Sequence, residues 1–381
     1  MDPHYEDIAK QCIDAIHQRI RNLKRLNIIV VGKSGVGKST LINSVFRDNL
    51  AETGLGRPVT RSIRQISKEG YPLTIYDTPG FELDHGQQNQ VKDEILSLIQ
   101  KGVASRDVNR AIHCIWYCIN VGSNRTFDAS EVQWLQEFTR ENRVTRVPVI
   151  IVLTQGCPRK KALEMKTLVE AENLDIVQVV PVLAQDMEFD EEYTARAYGL
   201  DTLIQIMSEV LGEELQETLQ NVQKVSLEAK KKYAHAAVAA AVTAAFGEGF
   251  APVPFADAAM LIPTQVTMIA SITAIFGLNV SKSILTSFVS SALGAGGATL
   301  LGRTITSNVF KLVPGVGTVA GGTISGATAG LVTTALGEAY IKLMEMLYKG
   351  EIRGEELSTA AGKRRLRELF RHELKDQDMG G

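Results

Sequence analysis

At 381 residues the chain is long enough for two domains with separate cores, and its composition is ordinary, 45% hydrophobic and 22% charged. A formal net charge of −2 leaves no basic excess to neutralise phosphates, so there is no direct nucleic-acid signature. The four cysteines are scattered; Cys114 and Cys118 share an apolar, strand-like run and read as small buried hydrophobes rather than metal ligands. This usage and the lack of a basic-then-apolar leader in Met1 to Asp7 predict a reducing, cytoplasmic setting.

Residues 3–25 read as an amphipathic helix, with Ile8, Cys12, Ile16, Ile20 and Leu23 recurring at helical spacing. Such a stripe must be buried, and the body of the same protein is the expected partner. Ile28 to Val31 is a short, β-branched strand, and Thr40 to Phe46 a helix with Leu41, Ile42 and Val45 inward. Between them lies Gly32-Lys33-Ser34-Gly35-Val36-Gly37-Lys38-Ser39-Thr40, a G-x-x-x-x-G-K-S loop in the strand–loop–helix setting that pattern requires. Its glycines let backbone N–H groups turn inward around a polyphosphate, and the helix N-terminus adds partial positive charge. Gly32, Ser34, Gly35, Val36, Gly37, Lys38, Ser39 and Thr40 are therefore expected to bind nucleotide, Lys38 at the β- and γ-phosphates and Ser39 on Mg²⁺.

The polar loop Gly54 to Ile63 follows, where Thr60 is the expected second hydroxyl on the metal. The strand Tyr71 to Tyr76 then ends in Asp77-Thr78-Pro79-Gly80, which sets a carboxylate at a strand C-terminus, where ligands of parallel α/β sheets bind. Asp77 is expected on Mg²⁺ and the Gly80 N–H on a γ-phosphate oxygen, a bond whose loss on hydrolysis releases a switch. A helix over 91–102, a buried strand over 111–121, a helix over 129–142 and strands over 147–153 and 177–183 continue the alternation, and a closing helix runs to about Leu211.

The glycine loop continuing through Thr40-Leu41-Ile42-Asn43, the threonine loop and D-T-P-G-F resemble the Era- and TrmE-like branch of the translation-factor class of GTPases over residues 26–211. That resemblance implies a Ras-like doubly wound domain that binds GTP and Mg²⁺ and hydrolyses GTP to GDP, with Lys38, Thr60 and Gly80 as the residues acting at the phosphates. Phe81 stands where Ras-like GTPases carry a water-positioning glutamine, which predicts slow intrinsic turnover. Gly35 replaces the asparagine of potassium-activated relatives, so potassium stimulation is not expected. The base-reading motif N/T-K-x-D is degenerate, Thr154-Gln155-Gly156-Cys157. Thr154 fits, the Gln155 stem can lie on the base, and Cys157 cannot replace the aspartate that accepts from guanine, so base specificity stays open. Loss of that charge-assisted pair weakens discrimination about ten- to hundredfold. The final motif is represented by Ala184, whose N–H is expected at the guanine O6.

Beyond Gly212 the chain changes character. Glu213 to Tyr233 reads as one charged connector helix, and residues 258–281, 283–302 and 312–337 contain no Asp, Glu, Lys or Arg. Each run reaches the ~20 residues a bilayer span needs. Yet Pro263 and Gln265 break the first, Gly294 to Gly297 the second, and more than half of the third is Gly, Ala, Ser and Thr. A soluble bundle of closely approaching Ala/Gly helices is favoured over stable insertion, with reversible membrane contact and a peripheral location left open. The segment from Pro254 to Gly277 resembles a domain of unknown function fused to Era-like GTPases, and the overall layout is similar to that of the immunity-related GTPases.

The expected organisation is an N-terminal helix (1–25) packing on the helical domain, an α/β GTPase domain (26–211), an all-α domain (212–350) and a charged helical tail (351–381) with Leu366, Leu369, Phe370 and Leu374 on one side. The expected function is a molecular switch whose GTP state controls the helical output domain. The alternative is a self-assembling or membrane-associated structural GTPase that associates through its G domain; the protein effector stays unnamed.

Overall fold

The computed structural model describes residues 3–47, 50–51, 63–79, 85–122, 127–189, 193–248, 263–293 and 326–379. They divide into two compact units, Leu23–Ser226 and a second composed of Met1–Asn22 with Leu227–Gly381. The first helix, α1 (Pro3–Asn22), belongs to the second unit.

In the unit Leu23–Ser226, six strands form one sheet: β1 (Leu26–Val31), β2 (Arg64–Ser67), β3 (Leu73–Asp77), β4 (Cys114–Asn120), β5 (Val149–Thr154) and β6 (Gln178–Pro181). Their order is β2-β3-β1-β4-β5-β6, parallel throughout except for β2 against β3. Successive strand side chains point to opposite faces, and helices cover both, which is why these strands read as near-continuous apolar runs. Ile28, Val30, Trp116 and Val152 share one core with Leu41 and Val45 of α2 (Lys38–Val45). Ile29, Ile115, Tyr117 and Ile151 share the other with Ile95 of α3 (His85–Ser105) and Phe138 of α4 (Ala129–Asn142). Ala162 and Val169 of α5 (Arg159–Ala171) join the second core, and Leu203 and Met207 of α6 (Leu200–Val210) the first. The result is the doubly wound α/β sheet expected. The chain leaves β1 between β3 and β4, the point where strand order reverses and ligands of such sheets bind.

Besides the edge strand β2, which the sequence reading left unassigned, two features depart from it. The connector expected over 213–233 is two helices, α7 (Glu213–Val222) and α8 (Leu227–Glu248), and the first compact unit extends to Ser226 rather than ending at 211. Gln223 makes the break: its Oε1 accepts from Val225 N (2.6 Å) and Ser226 N (2.8 Å), while its Nε2 donates to Ser226 O (2.8 Å). Helix α7 is then fastened to the sheet unit by Thr218 Oγ1 donating to Lys24 O (2.7 Å) and Tyr71 Oη donating to Val222 O (2.7 Å). The second departure is a hairpin, β7 (Met187–Glu188) with β8 (Thr194–Ala195), inserted between β6 and α6.

In the other unit, α1 and α8 are joined by α9 (Pro263–Phe276), α10 (Lys282–Leu293), α11 (Gly326–Tyr348), a 3₁₀ turn (Gly354–Ser358) and α12 (Ala360–Met379). Ile8, Ala9, Cys12 and Ile16 of α1 are buried in its core, and α1 packs on α9 and α10. Nearly every described side chain of α9 is buried, so this helix is apolar all round because it is central. Helices α8 and α11 approach closely at Gly337, where an added Cβ would lie 2.6 Å from Val238. Lys230 of α8 is fully buried and donates from Nζ to Ile275 O (3.0 Å) and Phe276 O (3.1 Å), setting a cation on the C-terminal carbonyls of α9. The charged tail is also part of this core: Leu366, Phe370 and Leu374 of α12 are buried, and Lys342 of α11 pairs with the buried Glu373.

Among the described residues no helix is long and apolar enough to cross a membrane. Helix α9 has 14 residues, about 21 Å against a hydrocarbon thickness of about 30 Å. Helix α11, at 23 residues, carries Glu338, Lys342 and Glu345. The glycine-rich runs at 294–297 and 317–322 lie outside the described residues.

Candidate functional site

The loop from Gly32 to Gly37 joins β1 to α2 and packs against β4. A Cβ on Gly32 would lie 2.5 Å from Cys118 O, so this backbone approach admits only glycine. Gly37, at φ +94°, sits in the left-handed region as the N-cap of α2 and turns the chain into the helix. Lys38 Nζ lies over the loop, donating to Gly32 O (2.8 Å) and Lys33 O (3.1 Å). Ser39 and Thr40 occupy the first turn of α2 beside it. Ser34 and Gly35 form the outer bend, and Val36 is buried beneath.

Asp77 ends β3, paired in register with Val30 of β1 and Arg64 of β2. Its Oδ1 is buried with no hydrogen-bond partner among the described residues. Burial pushes its carboxyl above the usual range, while the positive charges of Lys38 and Arg64 pull it back. A buried carboxylate oxygen left unbonded beside a lysine and the first turn of α2 fits a hard cation such as Mg²⁺, whose ligands are oxygens. Thr60 and Gly80, the other residues expected at the metal and the γ-phosphate, lie outside the described residues, as does Phe81.

The segment expected to read the base meets the glycine loop directly. Thr154, at the end of β5, donates from Oγ1 to Val36 O at 2.5 Å. Gln155 takes φ +52° and donates from Nε2 to Gly35 O (3.2 Å), so its amide bridges to the phosphate loop. Gly156 N donates to Val182 O (2.9 Å), which joins this segment to the Val182-Leu183-Ala184 stretch expected at the guanine O6. The structure thus brings together the phosphate loop, Asp77, Thr154, Gln155 and the segment carrying Ala184.

One part of the site is not readable from the motif. Lys33 Nζ lies 2.8 Å from Glu131 Oε2, and the Tyr117 hydroxyl donates to Glu131 Oε1 at 2.9 Å. Glu131 is 5% exposed. Burial raises its pKa, opposed first by the Lys33 hydrogen bond. Asp128 places it, accepting from Glu131 N (3.0 Å) as the N-cap of α4. The second residue of the phosphate loop is therefore anchored to α4, 98 positions away.

Residues 27–155 match the family model described as "50S ribosome-binding GTPase", and residues 207–371 match "Domain of unknown function (DUF697)". Translocase of chloroplast 90 from Arabidopsis thaliana is 39% identical over 83 residues, 21% of this chain and 10% of that protein. Neuronal-specific septin-3 from Danio rerio is 28% identical over 191 residues, 44% of this chain and 50% of that protein. The chain thus spans half or less of the length of these curated relatives. Among solved structures, Toc33 from Arabidopsis thaliana in complex with GDP and Mg²⁺ is 20% identical, covering 53% of this chain and 90% of that one with a TM-score of 0.34. A match to a P-loop GTPase domain over residues 27–155, which carries the glycine loop, is thus followed by a match to DUF697 over residues 207–371, most of which is helical.

Proposed function

We propose that the protein is a Mg²⁺-dependent switch that hydrolyses GTP slowly and passes its nucleotide state to the helical unit. The observation that carries this reading is the buried, unbonded Oδ1 of Asp77 at the carboxyl end of β3, with the Lys38 charge acting on it. Ser39, Thr60 and Asp77 would hold Mg²⁺, which when bound supplies charge neutralisation at the phosphates. Lys38 exchanges its loop carbonyls for phosphate oxygens, and the inward N–H groups of residues 34–39 bind the remaining charge. Thr154 and Gln155 hold the phosphate loop, and the Ala184 N–H donates to the guanine O6. With Phe81 apolar, the attacking water has no side chain of the glutamine type to orient it, which favours a long-lived triphosphate state.

The test is phosphate release from GTP by the full chain. Turnover on the order of 10⁻³ s⁻¹ is expected. Lys38→Ala should reduce it at least ~100-fold, and equal rates in the two proteins would sink the assignment. ATP added as competitor measures base choice, where the absence of an aspartate at Cys157 predicts discrimination weakened about ten- to hundredfold.

A further inference from the structure

The two segments expected to read the base are joined through one residue that neither motif contains. Tyr198 pairs with Leu183 as an antiparallel bridge, Leu183 N donating to Tyr198 O (3.1 Å) and Tyr198 N to Leu183 O (3.0 Å). Its hydroxyl then reaches back to the other segment and donates to Gly156 O at 2.5 Å. Gly156 N already donates to Val182 O at 2.9 Å, so the chain closes a ring of hydrogen bonds through Gly156, Val182-Leu183 and Tyr198. The Arg159 guanidinium lies over the Tyr198 ring, 4.9 Å from its centroid, and holds the ring from the start of α5. Gly156 is fitted to this contact: a Cβ there would lie 2.5 Å from the Tyr198 hydroxyl and 3.1 Å from Val182 O.

We infer that Tyr198 is a positioning residue for guanine-nucleotide binding, locking the Thr154–Cys157 loop to the Ala184 loop so that the base enters a preformed pocket. The inference rests on the assignment of those two segments to the base. With the aspartate of the motif replaced by Cys157, less of the base affinity comes from a charged contact and more from the pre-organisation of the two loops. Burial raises the Tyr198 phenol pKa, so the hydroxyl stays a donor across the physiological range. Tyr198 does not itself touch the phosphate loop in any described contact, which separates its effect from phosphate binding.

The experiment uses the full chain, a fluorescent GDP analogue and inorganic tripolyphosphate. Tyr198→Phe keeps the ring and its stacking and removes only the hydrogen bond to Gly156. Release of the GDP analogue, followed on dilution into excess GDP, should accelerate about fivefold, with tripolyphosphate affinity unchanged within about twofold. Gly156→Ala should accelerate release in the wild-type background and add less in the Tyr198→Phe background, since both act through one contact. Unchanged release in Tyr198→Phe, additive effects of the two substitutions, or equal losses of GDP and tripolyphosphate would each overturn the inference. A wild-type protein that binds tripolyphosphate but not the GDP analogue would overturn the base-site assignment and the inference with it.

Discussion

Lys33 occupies a variable position of the glycine-loop motif, yet its Nζ is one of the groups that fix the loop. Replacing it with Met leaves Glu131 buried beside Tyr117 without its cation. Uncompensated buried charges cost about 3–5 kcal/mol, and because Lys33 is partly exposed we expect about 2 kcal/mol in urea unfolding. Adding Glu131→Gln, which keeps an acceptor for Tyr117, should recover most of that loss. A double variant no more stable than Lys33→Met would contradict the assignment. This contact shows where sequence reading stops. The glycines and the placement of Lys38 and Ser39 are legible because strand, loop and helix are contiguous in the sequence. Glu131 meets Lys33 only because β4 and α4 fold over the same end of the sheet. No pattern within either segment announces the pair.

Among the elements, α7 shows the same limit in another form. Residues 213–233 contain no glycine or proline, and their charges and apolar spacing read as one helix. The break is made instead by the Gln223 side chain, which supplies hydrogen bonds that a further helical turn would have supplied. Gln223→Ala should therefore destabilise the protein by about 1–3 kcal/mol through stranded N–H groups, read as a shift in the midpoint of chemical unfolding. An unchanged midpoint would show that the turn holds without its cap. Five of the six strands were accessible from apolar runs and alternation with helices, whereas β2, mostly exposed and without an apolar run, and the order of the strands were not. The hairpin β7–β8 was not, because its strands are two residues long and carry no periodicity. The tail illustrates the converse: its apolar side, Leu366, Phe370 and Leu374, is readable from helical spacing, but its burial depends on α10 and α11.

For the whole molecule, the helical unit is assembled from two chain segments that precede and follow Leu23–Ser226 in sequence. Ile16 of α1 sits in a core built otherwise from residues beyond 226. Ile16→Asp places an unpaired carboxylate there and should destabilise the helical unit by more than ~3 kcal/mol. Binding of the GDP analogue should survive, since the phosphate loop lies in the other unit. Joint loss of both properties would mean that the two units do not unfold separately. The amphipathic stripe of α1 and the helical domain as its partner were expected from the sequence, whereas the particular helices that cover it, α9 and α10, were not, because helical spacing shows that a face must be covered without naming the surface that covers it.

That discontinuity also has a consequence for synthesis. Helix α1 leaves the ribosome ahead of every other helix it packs against, and about 200 residues must be made before α8 begins to appear. At roughly 5–20 residues per second the delay is on the order of 10–40 s. Through that interval Ile8, Cys12 and Ile16 form an apolar stripe without its mates, while the sheet unit between can complete its own core. The stripe is thus a natural site of chaperone capture on the nascent chain, in a protein whose nucleotide pocket is assembled before its helical unit.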